Sequence, residues 1–476
     1  MTTTVQHSRL KNPVQVAWGV LLLAFAIFCT IALFGLLAVH YFFFVSTVPM
    51  DATVAVARGG VGYTPLDFNE RAVGDEPQLL NIGHIVKPNP QSQALVTFRD
   101  PYQDNRVVAT LSLDDSNASI TLRTAARPRF DWGDARFLIE LERVQGDIEV
   151  FVADGYDSSN FLLLLETVPG ASIRVSSSGQ ASVRIVNTRA EVTNYRGEVV
   201  MHDESLAAKS IPPGYIGRIQ ADQSVIEVFQ NPLLNLVKNN TFTDVHRRVV
   251  DTVETISPLE WGCGNAAEST PNGNFTIARE EGRQALFLVR GGDAETHGET
   301  FCQQGGSPDA EDTSTWIDVR DYGYLALKTS FYINFQSLNR CGQQGSECPL
   351  MVRIDYMAPP LEEGGELRPL TFIYGFYAVN NLNLPQIDCT GVPNCIQPAD
   401  WPYRCLSCAQ EHILVREKRW YTYSTGNILS TLPDEQKPLY ITRIRFYASG
   451  HQYDVRVSEL SLFAGDTAAP AVAVVP

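Results

Sequence analysis

Eight cysteines lie in the C-terminal half of the chain: Cys263, Cys302, Cys341, Cys348, Cys389, Cys395, Cys405 and Cys408. Sulfur can ligate a metal, exchange electrons or crosslink, and spacing and compartment decide among these. "CLSC" (405–408) has the spacing of a redox pair, but such pairs work at a helix N-terminus beside a βαβ unit, and its surroundings are strand-like. Cys389, Cys395, Cys405 and Cys408 have His412 nearby, a set of zinc-ligand types. Structural zinc prefers C-x2-4-C pairs, and 389/395 is wider than that. An even number of cysteines in an exported segment reads as disulfides. Cys341–Cys348 and Cys389–Cys395 are natural local staples, and Cys263 with Cys302 is the long-range candidate. Cys405 and Cys408 close on each other or cross-pair with 389/395; spacing does not decide.

Other chemistry is scarce. There is no G-x-S-x-G, H-E-x-x-H or Walker-type Gly-Lys-Ser/Thr. His202, His246, His297, His412 and His451 have no spacing that puts two on one face with a carboxylate. Glycoside cleavage needs two opposed carboxylates, and nothing marks such a pair among the 53 acids. No catalytic residue, metal site or cofactor is assigned. Asp454 and Glu459 are weak calcium ligands by type and are expected to be solvated surface acids. The Asn117, Asn239 and Asn274 sequons are read as chance matches.

Flat rings remain as binding chemistry, because they stack on sugar faces while a few polar groups orient the ligand. The candidates are Trp401 and Tyr403 in "DWPYRC", Trp420, Tyr421 and Tyr423 in "RWYTYS", and Tyr374 and Tyr377 in the apolar run before them. The cysteine-rich loop 389–408 presents Trp401, and rigid loops are where recognition sits. Trp261 and Trp316 read as core residues, since large aromatics in sheets mostly pack.

Several elements must carry these groups. Val14–Val45 contains no Asp, Glu, Lys or Arg. A bilayer core needs about 20 apolar residues in a helix. Trp18 stands near one end, and Tyr41, Phe42, Phe43 and Phe44 at the other, as headgroup-zone aromatics do. The apolar core is too long for a cleaved signal peptide, and bulky rings occupy the cleavage position. Arg9 and Lys11 precede the span and Asp51 follows it. Residues 1–13 are therefore expected in the cytoplasm, with about 430 residues outside. The net charge of −16 speaks against a nucleic-acid partner and against docking on anionic lipid by charge.

Residues 50–230 read as short strands. "ALVTF" (94–98), "RVVATLSL" (106–113) and "SITLRT" (119–124) have strand lengths, with "DDSN" (114–117) as a turn between the last two. "RFLIELERV" and "DIEVFVAD" flank Gln145-Gly146, which predicts a hairpin. Pro-Pro-Gly at 212–214 forces a turn before another strand. "RAEVTNYRGEVVMHDESLAAKSIPPGYIGRI" (189–219), with "ATVAVARGGVGY" and "QSQALVTF" before it, resembles the FecR-type extracytoplasmic domain. That family relays a signal from an outer-membrane receptor to a sigma factor through a cytoplasmic domain. A 13-residue inner tail has no room for one, so the resemblance implies fold and topology, and relay to a sigma factor would need a partner with its own cytoplasmic part.

"NLVKNNTF" (235–242) opens a second region, 236–465. With "LEWGCG" (259–264), "RQALFLVRGG" (283–292), "STWIDVRDYGYLALKTSFYI" (314–333) and the closing "YITRIRFYASGHQYDVRVSELSLFAG" (440–465), it resembles the galactose-binding-like jelly roll of many carbohydrate-binding modules. Residues 466–476 are a tail with too little to pack.

The expectation is thus an all-β protein: one transmembrane helix (14–45), a FecR-like β domain (50–230) and a disulfide-stapled jelly-roll sandwich (236–465). The implied role is a non-catalytic, extracytoplasmic binding protein of the cell membrane. Its partners are the bilayer and a glycan or envelope protein. The alternatives are signal relay or envelope-complex assembly through protein contacts, and a cryptic polysaccharide hydrolase.

Overall fold

The computed structural model describes residues 13–466, apart from 67, 168–170, 204, 206, 221–222, 251–252, 268, 293, 307–312, 340, 342–346, 363 and 380–411. It is mostly β, with one long apolar helix at the N-terminal end.

That helix runs Pro13–His40 and ends in a single π turn, Tyr41–Val45. None of its surface is buried in the chain, and its length and composition suit a bilayer. The Thr30 hydroxyl donates to the Ala26 carbonyl at 2.8 Å, so a polar group on an apolar helix is satisfied internally.

Strands from Thr47 to Gln230 form one continuous 17-stranded system. Burial alternates strictly along Phe161–Glu166, Gly179–Val186 and Arg189–Arg196, the mark of one face on a core and one in solvent. The core carries Leu111, Ile148, Val150, Leu163, Ile173, Val183 and Val192. The Pro-Pro-Gly turn is a real turn: Gly214 has φ +81°, and Tyr215 N–H donates to the Pro212 carbonyl at 3.0 Å. Buried Asn194 holds its base, donating to the carbonyls of Ile211 (2.7 Å) and Gly197 (3.0 Å).

Two expected turns are not turns. Arg106–Pro128 is one strand through "DDSN", and Phe137–Val152 is one strand through Gln145-Gly146. They pair with each other along their length, and the register shifts between Asp114 and Ser119. Gly146 has φ +78°, and a Cβ there would lie 2.4 Å from Ala118 Cα. The glycine and the polar run thus face each other across a bulge, where both strands bend together. A bulge and a hairpin use the same residue types; the partner strand distinguishes them.

Apart from a separate two-stranded pair, Val245–Val250 with Val253–Pro258, strands from Leu234 to Gly465 form two stacked sheets. The six-stranded sheet contains Asn274–Glu280, Arg283–Arg290, Tyr453–Gly465, Tyr324–Gln336 and Trp420–Ser424 in that order, with Leu234–Asn235 added on Tyr453–Gly465. The seven-stranded sheet runs Gly262–Asn265, Gly298–Gly305, Tyr440–Gly450, Leu350–Ala358, Arg368–Tyr377, Ile413–Leu414, with Ile317–Asp318 on Tyr440–Gly450. Phe242, Trp261 and Phe446 meet at ring distances of 5.1–5.7 Å in the core between them. Cys263 and Cys302 are bonded, as are Cys341 and Cys348. Cys389, Cys395, Cys405 and Cys408 lie outside the described residues. Trp316 departs from its expected core position: it is half-buried at the sandwich edge, beside Tyr440.

The two β units touch through the outward face of the six-stranded sheet. Gln93 makes two hydrogen bonds with the Thr422 backbone, at 2.8 and 3.1 Å. Arg283 donates to Thr110 Oγ1 at 2.6 Å and lies between the rings of Phe151 and Trp420, at 4.3 and 4.9 Å. Burial brings its guanidinium down to about 10. Lys328 reaches Glu149 Oε2 at 3.0 Å across the contact and Glu459 Oε2 of its own unit at 3.8 Å. Glu459 is therefore buried and paired, and Asp454 is paired with Arg456 and Asn334. Neither is the free surface acid that the sequence suggests.

Candidate ligand-binding face

With one sheet turned toward the N-terminal unit, the other presents its outward face to the opposite side. Register fixes what stands there. Strands Tyr440–Gly450 and Leu350–Ala358 send Ile444, Phe446, Val352 and Ile354 into the core, so the residues between them point out. Three rows cross the sheet: Phe301, Tyr447, Met351 and Gly375; then Gln303, Arg445, Arg353 and Ile373; then Gly305, Arg443, Asp355 and Thr371.

The first row is apolar and aromatic, and the next two carry charge. Arg445 lies over Phe301 at 4.0 Å and over Tyr447 at 5.2 Å, and pairs with Glu299. Burial lowers its pKa. Asp355 is 1% exposed and accepts from Arg353 (2.7 Å), Arg443 (2.6 Å) and Thr371 (2.7 Å). This carboxylate holds two guanidinium groups at fixed angles, and Arg353 keeps a third of its side-chain surface in solvent. Pre-oriented donors beside ring faces are what a polyhydroxylated ligand needs. Arg443 also lines a groove of about 600 Å³ along the sandwich edge, with Lys238, Glu260, Gln304 and Trp316.

The Cys341–Cys348 bridge caps one end of the first row, packed with Met351, Tyr377 and Tyr447. A Cβ on Gly375 would lie 2.6 Å from both Cys348 Sγ and His412 Nδ1, so only glycine leaves room for them. Cys341, Cys348 and His412 are close enough to share a metal ion. With the two sulfurs bonded to each other, the trio offers no thiolate.

The sequence-predicted rings divide among three places. Tyr377 is on the outward face, buried against the disulfide. Tyr374, Tyr421 and Tyr423 meet inside the end of the sandwich: Tyr374 and Tyr423 are 5.4 Å apart, and Tyr421 packs on Phe331 at 5.5 Å. Burial raises the Tyr421 and Tyr423 hydroxyls above their ordinary range, and Tyr421 Oη accepts from Arg58 at 3.3 Å. Trp420 is 2% exposed beneath Arg283 at the contact between the units. Alternation along "WYTYS" sends Trp420 one way and Tyr421 and Tyr423 through separate packing, so the five-residue run is not one platform. Trp401 and Tyr403 lie outside the described residues. Sequence reading missed Phe301, Arg353, Asp355, Arg443, Arg445 and Tyr447. For all but Phe301 the signal was the alternation in "MVRIDYM" and "TRIRFYA", which puts every second residue on one face.

A second cavity, of about 300 Å³, lies between the units and is lined by Asp114, Asp147, Glu149, Arg184, Tyr195, Tyr324 and Lys328. Its charges largely satisfy one another: Arg184 pairs with Asp147 at 2.6 Å and Lys328 with Glu149. Asp114 accepts from Gln93, but burial, with Glu149 and Asp147 nearby, pushes it up to about 7.

No family profile matches the chain, and no curated protein matches its sequence. Among solved structures, the chain is similar to two crystal structures of candidate anti-sigma factors from Parabacteroides distasonis. Each is 15% identical at a TM-score of 0.22; one is covered over 59% of its length by 31% of this chain, the other over 97% by 42%. The chain is also similar to the carbohydrate-binding module TmCBM61 in complex with β-1,4-galactotriose (9% identity, 48% of this chain, 99% of that one, TM-score 0.20). A family 11 carbohydrate-binding module from Clostridium thermocellum, with a β-1,3-1,4-mixed-linked tetrasaccharide, is 10% identical over 44% of this chain and 89% of that one, with a TM-score of 0.20. Likenesses this distant carry no argument about ligand or role.

Proposed function

We propose that this protein is a membrane-anchored, non-catalytic binding protein of the cell envelope, and that its jelly roll takes a glycan on the outward face of the seven-stranded sheet. The observation that carries the reading is the three-row array, in which the partly exposed Phe301 and Arg353 stand among arginines fixed by Asp355 and Glu299, with Tyr447 buried beneath them. Residues 14–45 hold it in the bilayer, with the N-terminus in the cytoplasm and the β units outside. The FecR-like unit is the stem, and its contact with the six-stranded sheet turns the binding face away from it. An array of neutral and acidic glycans, probed with the full chain in lipid nanodiscs, tests this reading. Binding to at least one glycan class is expected, and a blank array counts against it.

One observation favours a second reading. The two units are joined by buried, directional contacts at Arg283, Lys328 and Gln93. Such a joint passes a displacement of the jelly roll on to the stem, which suits signal relay or assembly with a protein partner. Co-purification of a stoichiometric membrane partner, together with a blank array, would favour this alternative.

A further inference from the structure

One loop of the N-terminal unit is tied to the end of the apolar helix and a second is tied to the first, and both carry exposed aromatic rings. Phe130 packs on Phe43 at 5.4 Å and on Phe42 at 5.9 Å, and Trp132 stacks on Phe130 at 4.8 Å. The Phe44 carbonyl, at the helix end, accepts from the backbone N–H of Asp134 (2.7 Å) and Ala135 (3.0 Å). Arg129 donates through Nε to Ser46 Oγ at 3.0 Å and lies over the Phe42 ring. A Cβ on Gly133 would sit 2.7 Å from the Phe44 carbonyl oxygen, so the loop approaches the helix as closely as a backbone can. Arg127, buried, ties in the second loop: it pairs with Asp100 at 2.8 Å and Asp131 at 3.2 Å and lies 4.8 Å from the Tyr102 ring. Trp132 is 66% exposed and Tyr102 is 74% exposed.

Burying Phe130 against the helix end is ordinary packing, but leaving a tryptophan two-thirds bare on top of it is not. Height explains it. Trp18 to Tyr41 spans about 35 Å of helix at 1.5 Å per residue, which places Tyr41 just beyond a hydrocarbon core of about 30 Å. Trp132 is two ring contacts from Phe43, so it stands in the same zone, where indole and phenol rings are favoured.

We infer that loops 101–105 and 129–136 rest in the headgroup zone of the bilayer that the helix crosses, with Trp132 and Tyr102 inserted among the lipids. This rests on the membrane-anchor reading given above. The partner is lipid recognised by rings rather than by charge, because Arg129 and Arg136 are offset locally by Asp104, Asp131 and Asp134. The stem is then held at two points besides its helix, and its tilt on the membrane is fixed.

The test uses the full chain in phosphatidylcholine nanodiscs whose acyl chains are brominated either near the headgroup or near the terminal methyl. Emission of Trp132→Phe, which keeps the stack on Phe130, is subtracted from that of the wild type to isolate Trp132. The difference emission is expected to be quenched about twofold more by the shallow bromines than by the deep ones, as for a ring in the interface. Incorporation into the discs with no quenching of the difference emission would overturn the inference and leave the anchor intact. Failure of the chain to incorporate at all would overturn both. Quenching that needs added anionic lipid would overturn recognition by rings.

Discussion

Replacing Lys328 with alanine probes the joint between the two β units. Its ammonium is 8% exposed, 3.0 Å from Glu149 Oε2, 3.8 Å from Glu459 Oε2 and 4.6 Å from the Tyr195 ring. Burial alone would lower its pKa, but the two carboxylates outweigh it and hold the group above its ordinary range. A folded value raised in this way gives stability that is fully present below about 10.5 and lost only above it, so the joint is insensitive to pH near neutrality through this group. Truncation leaves Glu459, 5% exposed, and Glu149, 19% exposed, without their shared cation. Removing one partner from a buried pair costs about 3–5 kcal/mol. With a urea slope of roughly 2–3 kcal/mol/M, the midpoint of the transition that reports the joint should fall by about 1.5 M. Tryptophan emission of the detergent-solubilised full chain follows it, since Trp420 sits at the contact. The triple variant Lys328→Met, Glu149→Gln, Glu459→Gln should recover to within about 1 kcal/mol of the wild type, because no charge is then stranded. A single-variant loss below about 1 kcal/mol, the scale of an exposed pair, would refute a buried joint.

Asp114 moves the pH dependence, with the same sign, into the range below neutrality. Its folded pKa of about 7 lies above its ordinary 3.8, so the native state favours the protonated acid. That contribution is greatest in acid and is lost as pH rises from about 4 to 7; Asp114→Asn should flatten this part of the stability–pH curve measured by urea midpoints. Mass labelling of the chain denatured without reductant should modify one thiol, Cys29, with the other eight cysteines blocked. Cys263→Ser with Cys302→Ser opens a crosslink of sequence separation 39 and should cost about 4 kcal/mol in the jelly-roll transition, and the shorter Cys341–Cys348 loop about 2.5.

Much of the architecture was legible because its signals are local. A charge-free run flanked by basic residues and aromatics reads as a membrane helix from any one window. Alternating burial in 179–196 and the Pro-Pro-Gly turn are likewise local facts. The misses are non-local. Gly146 looks like a hairpin glycine until its neighbour Ala118 is known, 28 positions back, across a bulge. The rings of "WYTYS" look like one ligand platform until Arg283 covers Trp420 and Phe331 takes Tyr421. Which arginines face solvent follows from alternation in "TRIRFYA". That this face is turned away from the N-terminal unit, while the six-stranded sheet's is not, follows only from how the two units pack.

The outward face of the seven-stranded sheet, as the ligand site, is tested most directly by calorimetric titration of the nanodisc-held chain with the glycan that scores on the array. Phe301→Ala and Arg353→Ala should each weaken binding about tenfold, equivalent to about 1.4 kcal/mol, while Trp420→Phe at the buried contact leaves it unchanged. Affinity unmoved by the first two substitutions, or lost with the third alone, would contradict the placement of the site.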